Sequence, residues 1–150
     1  MTERTEVPKD LSEIPVDPAH PLVAPGAYLL ELIPMPVADL DRAKAFYTGK
    51  LGWTCDVDIN PSEGLRFAQL TPPGSYCSIM ISTGLPQMEM PVGSQRGLHL
   101  VVKDLEAARR QLIDRGVEVS EIEDLGGVFY AWFTDPDGNT WALQHMPWRA

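Results

Sequence analysis

The feature that most restricts the fold of this chain is an internal repeat. Val37, Asp39, Leu40 and Ala43 recur 65 residues later as Val102, Asp104, Leu105 and Ala108. Farther along, Thr71-Pro72-Pro73-Gly74 matches Asp135-Pro136-Asp137-Gly138 at an offset of 64, so one residue is dropped between. Two copies of about 65 residues are too few for a solenoid and imply two paired modules.

Both copies read as strand, helix, strand, strand, strand. In the first, Tyr28–Ile33 is apolar except for Glu31 and predicts a strand. Asp39 is placed to cap a helix in which Leu40, Ala43, Phe46 and Tyr47 form one apolar stripe, and Gly52 breaks it. Trp53–Ile59, Leu65–Leu70 and Tyr76–Ser82 predict strands, with turns at 60–64 and 71–75. In the second copy Leu98–Val102 is a strand. Asp104 caps a helix over 105–115, Gly116 ends it, and Val117–Glu121, Val128–Thr134 and Thr140–His145 follow as strands.

A helix covers one face of a four-stranded sheet and leaves the other face open. The expected class is therefore α+β, with two tandem βαβββ modules whose open faces line a cleft. The modules are residues 27–83 and 97–146, joined by a Gly/Pro/Met-rich linker (84–96) and followed by a short tail (147–150). Residues 1–26 hold Pro8, Pro15, Pro18, Pro21 and Pro25 and are expected to be an extended arm, since proline lacks a backbone donor. Leu11, Ile14, Val16, Leu22 and Val23 are its possible anchors, and His20 is expected in solvent.

Composition narrows the partners. The net charge of −9 disfavours nucleic acid and polyanionic substrates, and no Lys/Arg cluster offsets it. No apolar run approaches the roughly 20 residues that cross a membrane. Residues 1–18 lack an apolar signal-peptide core, so a cytoplasmic protein is expected. Cys55 and Cys77 read as two free, partly buried thiols, too few for a structural zinc site.

The segment Asp39-Leu40-Asp41-Arg42-Ala43-Lys44-Ala45-Phe46-Tyr47 with Leu51-Gly52-Trp53 resembles the first-module signature of the vicinal oxygen chelate superfamily. That superfamily includes glyoxalase I, the bleomycin- and fosfomycin-resistance proteins and the extradiol dioxygenases. Asp135-Pro136-Asp137-Gly138-Asn139 resembles its second-module turn, and the likeness covers about residues 28–146. It implies paired βαβββ modules, commonly in a homodimer, and a cleft lined by strands. In metal-dependent members, ligands come from the first and last strands of each module. By spacing from the signature valine and from the turn glycine, those positions fall on Leu32, Ser78, Gly97 and Ala142. Three of these have no donor and serine is a poor ligand alone, so no metal or other cofactor is expected. Strand slips of one or two residues would instead bring in Glu31, His99 and Gln144.

Alternation along strands places Leu30, Leu32, Ser78, Met80, His99 and Gln144 on the cleft face. His99 is a candidate acid, base or ligand contact, against the alternative of a buried histidine satisfied by backbone. Gln144 can hold its ring or a ligand carbonyl, and His145 should face away. Tyr130 and Trp132 share one face, Phe129 and Phe133 the other; one pair packs on the helix and one meets a ligand or subunit. Arg66 should be exposed or paired with a carboxylate. Asp135 and Asp137 read as turn formers, and Met88 and Met90 as a loop or a lid. No nucleophile elbow or phosphate loop is present.

Three functions fit. The first is a metal-free protein that binds a small, largely apolar molecule through Leu32, Ser78, Met80, His99, Tyr130, Trp132 and Gln144. The second is a metal-independent enzyme with His99 as acid or base. The third is a metal-dependent lyase or dioxygenase.

Overall fold

The structure is a computed structural model that describes residues 10–13 and 23–149. The chain divides into two compact units between Glu89 and Met90. The first contains β1 (Leu32–Pro34), α1 (Leu40–Ala45), β2 (Thr54–Ser62), β3 (Leu65–Thr71) and β4 (Ser78–Thr83). The second contains β5 (Leu98–Val101), α2 (Leu105–Asp114), β6 (Glu123–Leu125), β7 (Val128–Thr134) and β8 (Thr140–His145). The sheets run β1-β4-β3-β2 and β5-β8-β7-β6, each with one parallel pair, β1/β4 or β5/β8. This is the tandem βαβββ, α+β architecture that the repeat predicts.

The same local chemistry starts both helices. Asp39 Oδ1 accepts from the Arg42 amide and Asp104 Oδ1 from the Ala107 amide, each at 3.0 Å. Each carboxylate satisfies one amide that a helix start leaves without an intrahelical partner. α1 is shorter than expected. After Ala45 it widens into a π-type turn over Phe46–Lys50, in which Leu51 N donates to Phe46 O. Gly52, at φ +74°, then lets Trp53 N donate back to Tyr47 O at 2.9 Å.

Each helix buries its stripe on one face of its own sheet. In the first unit Leu40, Ala43 and Tyr47 are buried, as are Ala68, Leu70, Ile79 and Ile81. In the second, Leu105 and Leu112 are buried, as are Ala131, Phe133, Trp141 and Leu143.

Several boundaries differ from expectation. Tyr28–Leu30 is exposed and outside the ladder, and β1 starts at Leu32 and includes Pro34. Pro34 is tolerated because β1 is an edge strand. β2 runs through Asn60-Pro61, which the turn residues had placed in a loop. It too is an edge strand, with a register shift between Ile59 and Ser62. β4 begins at Ser78, after Tyr76 and Cys77.

The largest difference is the strand expected at Val117–Glu121, which does not form. Ser120 N donates to Trp132 O, but the Ser120 carbonyl is taken by Arg109 Nε at 2.7 Å. Trp132 N turns instead to the Ser120 hydroxyl at 2.8 Å, and the ladder breaks. Pairing resumes at Glu123, in a hairpin where Asp124 Oδ1 accepts from Gly127 N.

Pro86–Met88 forms a 3-10 turn in the linker, with Met88 half-buried and Met90 exposed. Leu11 and Val23 of the arm are exposed, and Ile14, Val16, His20 and Leu22 lie outside the described residues.

Arg66 is paired, as burial requires. Its guanidinium holds Asp58 through Nε and Nη2 (3.0 and 2.9 Å) and Asp41 through Nη1 (2.9 Å). Lys44 of α1 completes the cluster on Asp58 at 2.8 Å. Arg66 chiefly, with Lys44, holds the Asp58 carboxyl below the usual carboxylate range, against the opposing cost of burial. A carboxyl lowered in the folded state stabilises the fold at neutral pH, and this contribution is lost as pH falls through the folded value, below about 4. Asp58→Asn should therefore cost about 1–2 kcal/mol at neutral pH and much less near pH 3. Urea unfolding at the two pH values measures this, and an equal cost at both would remove Asp58 from the acid transition.

Candidate functional site

In the second sheet, strand register decides which side chains meet. His99 of β5 stands opposite Ala142 of β8, which stands opposite Trp132 of β7. One row on, Val101 stands opposite Gln144 and Gln144 opposite Tyr130. These residues are two apart along their strands and share the face away from α2. Phe129, Phe133, Trp141 and His145 alternate to the other face, where Phe133 stacks on Trp141 at 6.4 Å and Phe129 lies 6.1 Å from the His145 ring.

The open face is a small aromatic arrangement over a floor at Ala142, which is fully buried. The His99 ring is edge-on to both Tyr130 and Trp132, with centroids 5.7 and 5.8 Å away and interplanar angles of 84° and 85°. Tyr130 and Trp132 are near-parallel, 16° apart, at 6.2 Å. Gln144 Nε2 donates to Tyr130 Oη at 3.2 Å, and His99 Nδ1 lies 2.6 Å from the Gly97 carbonyl oxygen. His99 is exposed, so the alternative of a buried core histidine does not hold, although a backbone carbonyl does bind its ring. Tyr130, Trp132 and Gln144 are half-buried. Of the two pairings left open for the aromatics, Phe129 and Phe133 lie on the helix side. Tyr130 and Trp132 lie on the open side.

A depression of about 390 Å³ adjoins Trp132, lined also by Glu118, Ser120, Thr134 and Thr140. These four were not among the expected site residues. Thr134 and Thr140 could have been found by alternation from Trp132 and Ala142, whereas Glu118 and Ser120 come from the segment misread as a strand.

Leu32, Ser78 and Met80 lie on the open face of the first sheet. Leu32 stands opposite Ser78, and Pro34 opposite Met80. The Ser78 hydroxyl is buried and lies 2.6 Å from the Thr71 hydroxyl, which donates to Asp56. With the Thr71 proton committed to Asp56, Ser78 is the donor in the first contact. The chain Ser78 to Thr71 to Asp56 is thus satisfied internally.

The registers also correct the matching of the repeats. Leu70 opposes Ile79 in the first sheet as Phe133 opposes Trp141 in the second. Between these pairs the first unit has Thr71–Ser78 and the second Thr134–Thr140, one residue fewer. Ser78 is therefore the counterpart of Thr140, and Met80, not Ser78, that of Ala142. Gln144 corresponds to Ser82. With Leu32, Gly97, Ala142 and either Ser78 or Met80, the set offers at most one hydroxyl or one thioether. That does not fit a divalent cation. Among the described residues, no three His, Cys, Asp or Glu side chains are grouped to hold a metal ion.

Asp135 turns out to be a buried anchor. Its Oδ1 accepts from the Asp137 and Asn139 amides, both at 2.9 Å, and its Oδ2 from Asn139 Nδ2 at 2.7 Å. Asn139, fully buried, then accepts from Gln95 N through Oδ1 at 3.0 Å. This fastens the segment before β5 to the β7–β8 turn, and so positions Gly97 and His99. Cys55 and Cys77 are both half-buried and outside any disulfide. Burial pushes both thiols up, which disfavours the reactive thiolate.

The family model described as Glyoxalase/Bleomycin resistance protein/Dioxygenase superfamily matches residues 28–143. No curated protein matches the chain. Among solved structures, TnmS3, an antibiotic binding protein from Streptomyces sp. CB03234, is 33% identical, with a TM-score of 0.70 over 80% of this chain and 97% of that one. A glyoxalase/bleomycin resistance protein from the same organism is 36% identical, with a TM-score of 0.64 over 75% and 96% of the two chains. A superfamily member from Sphaerobacter thermophilus DSM 20745 is 28% identical, with a TM-score of 0.65 over 80% and 98%.

Proposed function

The chain belongs to the glyoxalase/bleomycin resistance protein/dioxygenase superfamily, and within it we propose a protein that binds a small, flat, largely apolar molecule without the usual divalent metal. The observation that carries this reading is the exposed His99 ring, edge-on to Tyr130 and Trp132 on the open face of the second sheet. Aromatic side chains with a few placed polar groups are what a small-ligand site needs. The likeness to TnmS3, an antibiotic binding protein, supports it. The reading includes a cytoplasmic location and a homodimer, and sedimentation equilibrium tests the homodimer.

Titration with 2-naphthol should quench tryptophan fluorescence saturably, with the compound recovered unchanged. Absence of saturable binding would sink the reading. A second reading, a metal-independent enzyme using His99 as acid or base, rests on the same exposed ring. Turnover lost in His99→Ala, with binding retained, would favour it.

A further inference from the structure

We propose that this surface selects aromatic ligands that carry a hydrogen-bond donor, a phenolic hydroxyl or a ring N–H, and that Nε2 of His99 is the atom that receives it. The inference rests on the binding reading above and names the ligand class.

The tautomer follows from one contact. His99 Nδ1 lies 2.6 Å from the Gly97 carbonyl oxygen. A backbone carbonyl only accepts, so Nδ1 carries the proton. In the neutral ring the second nitrogen, Nε2, is then an acceptor, because an imidazole holds one N–H and one lone pair. Gly97 is at φ +68°, a backbone conformation that side chains rarely adopt. The carbonyl that fixes the ring therefore sits on a residue chosen for its backbone.

The neighbouring polar groups complete the pattern. Tyr130 Oη accepts from Gln144 Nε2, which leaves the tyrosine proton to donate. The face thus offers an acceptor at His99 and a donor at Tyr130, both beside Trp132. A flat ligand that places its hydroxyl or N–H at Nε2 keeps both stacking and hydrogen bonding. A ligand capped there by a methyl group leaves Nε2 without water and without a partner, which costs binding.

The test compares 2-naphthol with 2-methoxynaphthalene, which share ring and shape but differ in the donor. The comparison is made at about pH 8. The native chain should bind 2-naphthol about tenfold tighter than the ether, and His99→Phe, which keeps an aromatic ring without an acceptor, should bring the ratio close to one. Nitrogen NMR of the native chain gives a second measurement that needs no variant. The Nε2 resonance of His99 should move on adding 2-naphthol and stay in place on adding the ether. Equal affinities in the native chain, a ratio preserved in His99→Phe, or an unmoved Nε2 resonance at saturation would each overturn the proposal while leaving the surface a binding site. Failure of the native chain to bind either compound would overturn the binding reading and this inference with it.

Discussion

Trp132→Ala is expected to weaken 2-naphthol binding about 10- to 100-fold while changing stability little. The half-buried indole forms one wall of the open face, parallel to Tyr130 and edge-on to His99. Large aromatic anchors contribute much of the energy where they are truncated. The next residue provides the control. Phe133 points to the opposite face, is 3% exposed and stacks on Trp141. Phe133→Ala should cost about 3–5 kcal/mol of stability, as loss of a core aromatic does. The affinity of the molecules that remain folded should be unchanged. Denaturant unfolding and fluorescence titration of both variants measure the two effects. If Trp132→Ala destabilised the chain as much as Phe133→Ala, the indole would be a core residue and the face would not be open.

Gly93→Ala should be the most damaging single methyl addition in the segment before β5. Gly93 is buried at φ +74°, and a Cβ there would stand 2.1 Å from the Asp137 carbonyl oxygen. The turn it meets is held by Asp135 and Asn139 and has little room to retreat. Backbone strain and overpacking together should cost about 3–5 kcal/mol. Gly138→Ala separates the two causes. Gly138 has φ +92°, but a Cβ there meets nothing within 4 Å. It should cost about 1–2 kcal/mol from strain alone. Thermal melts of the pair give the difference, and equal losses would show that the close approach to Asp137 carries no energy.

The sequence was most legible where one local rule acts on a strongly patterned segment. β7 and β8 have the predicted limits because alternation, a β-rich composition and a Pro-Asp-Gly turn all agree. Asp39 and Asp104 cap as expected because an N-cap is decided within three residues. The faces of Tyr130, Trp132, Phe129 and Phe133 follow from the same alternation. What failed depends on partners distant in sequence. Val117–Glu121 has the composition of a strand, but Arg109, a helix residue, takes the carbonyl that the ladder needs. Pro61 reads as a turn former, yet an edge strand has no neighbour to miss its amide. The role of Asn139 was hidden for the same reason: its partner Gln95 lies before the helix of the module, not in the turn.

The one-residue difference between Thr71–Ser78 and Thr134–Thr140 bears on how such a chain can be re-engineered. Duplicated modules invite transplantation, in which a useful group in one copy is written into the other at the aligned number. Here that practice fails for the last strand. Counting from the turn glycine sends Gln144 to Met80, one row away from its true counterpart, Ser82. A graft of the second sheet's face onto the first therefore needs either the numbering shifted by two residues or the removal of two residues from Ser75–Cys77. With neither, every transferred β8 side chain would keep its face but miss its neighbours.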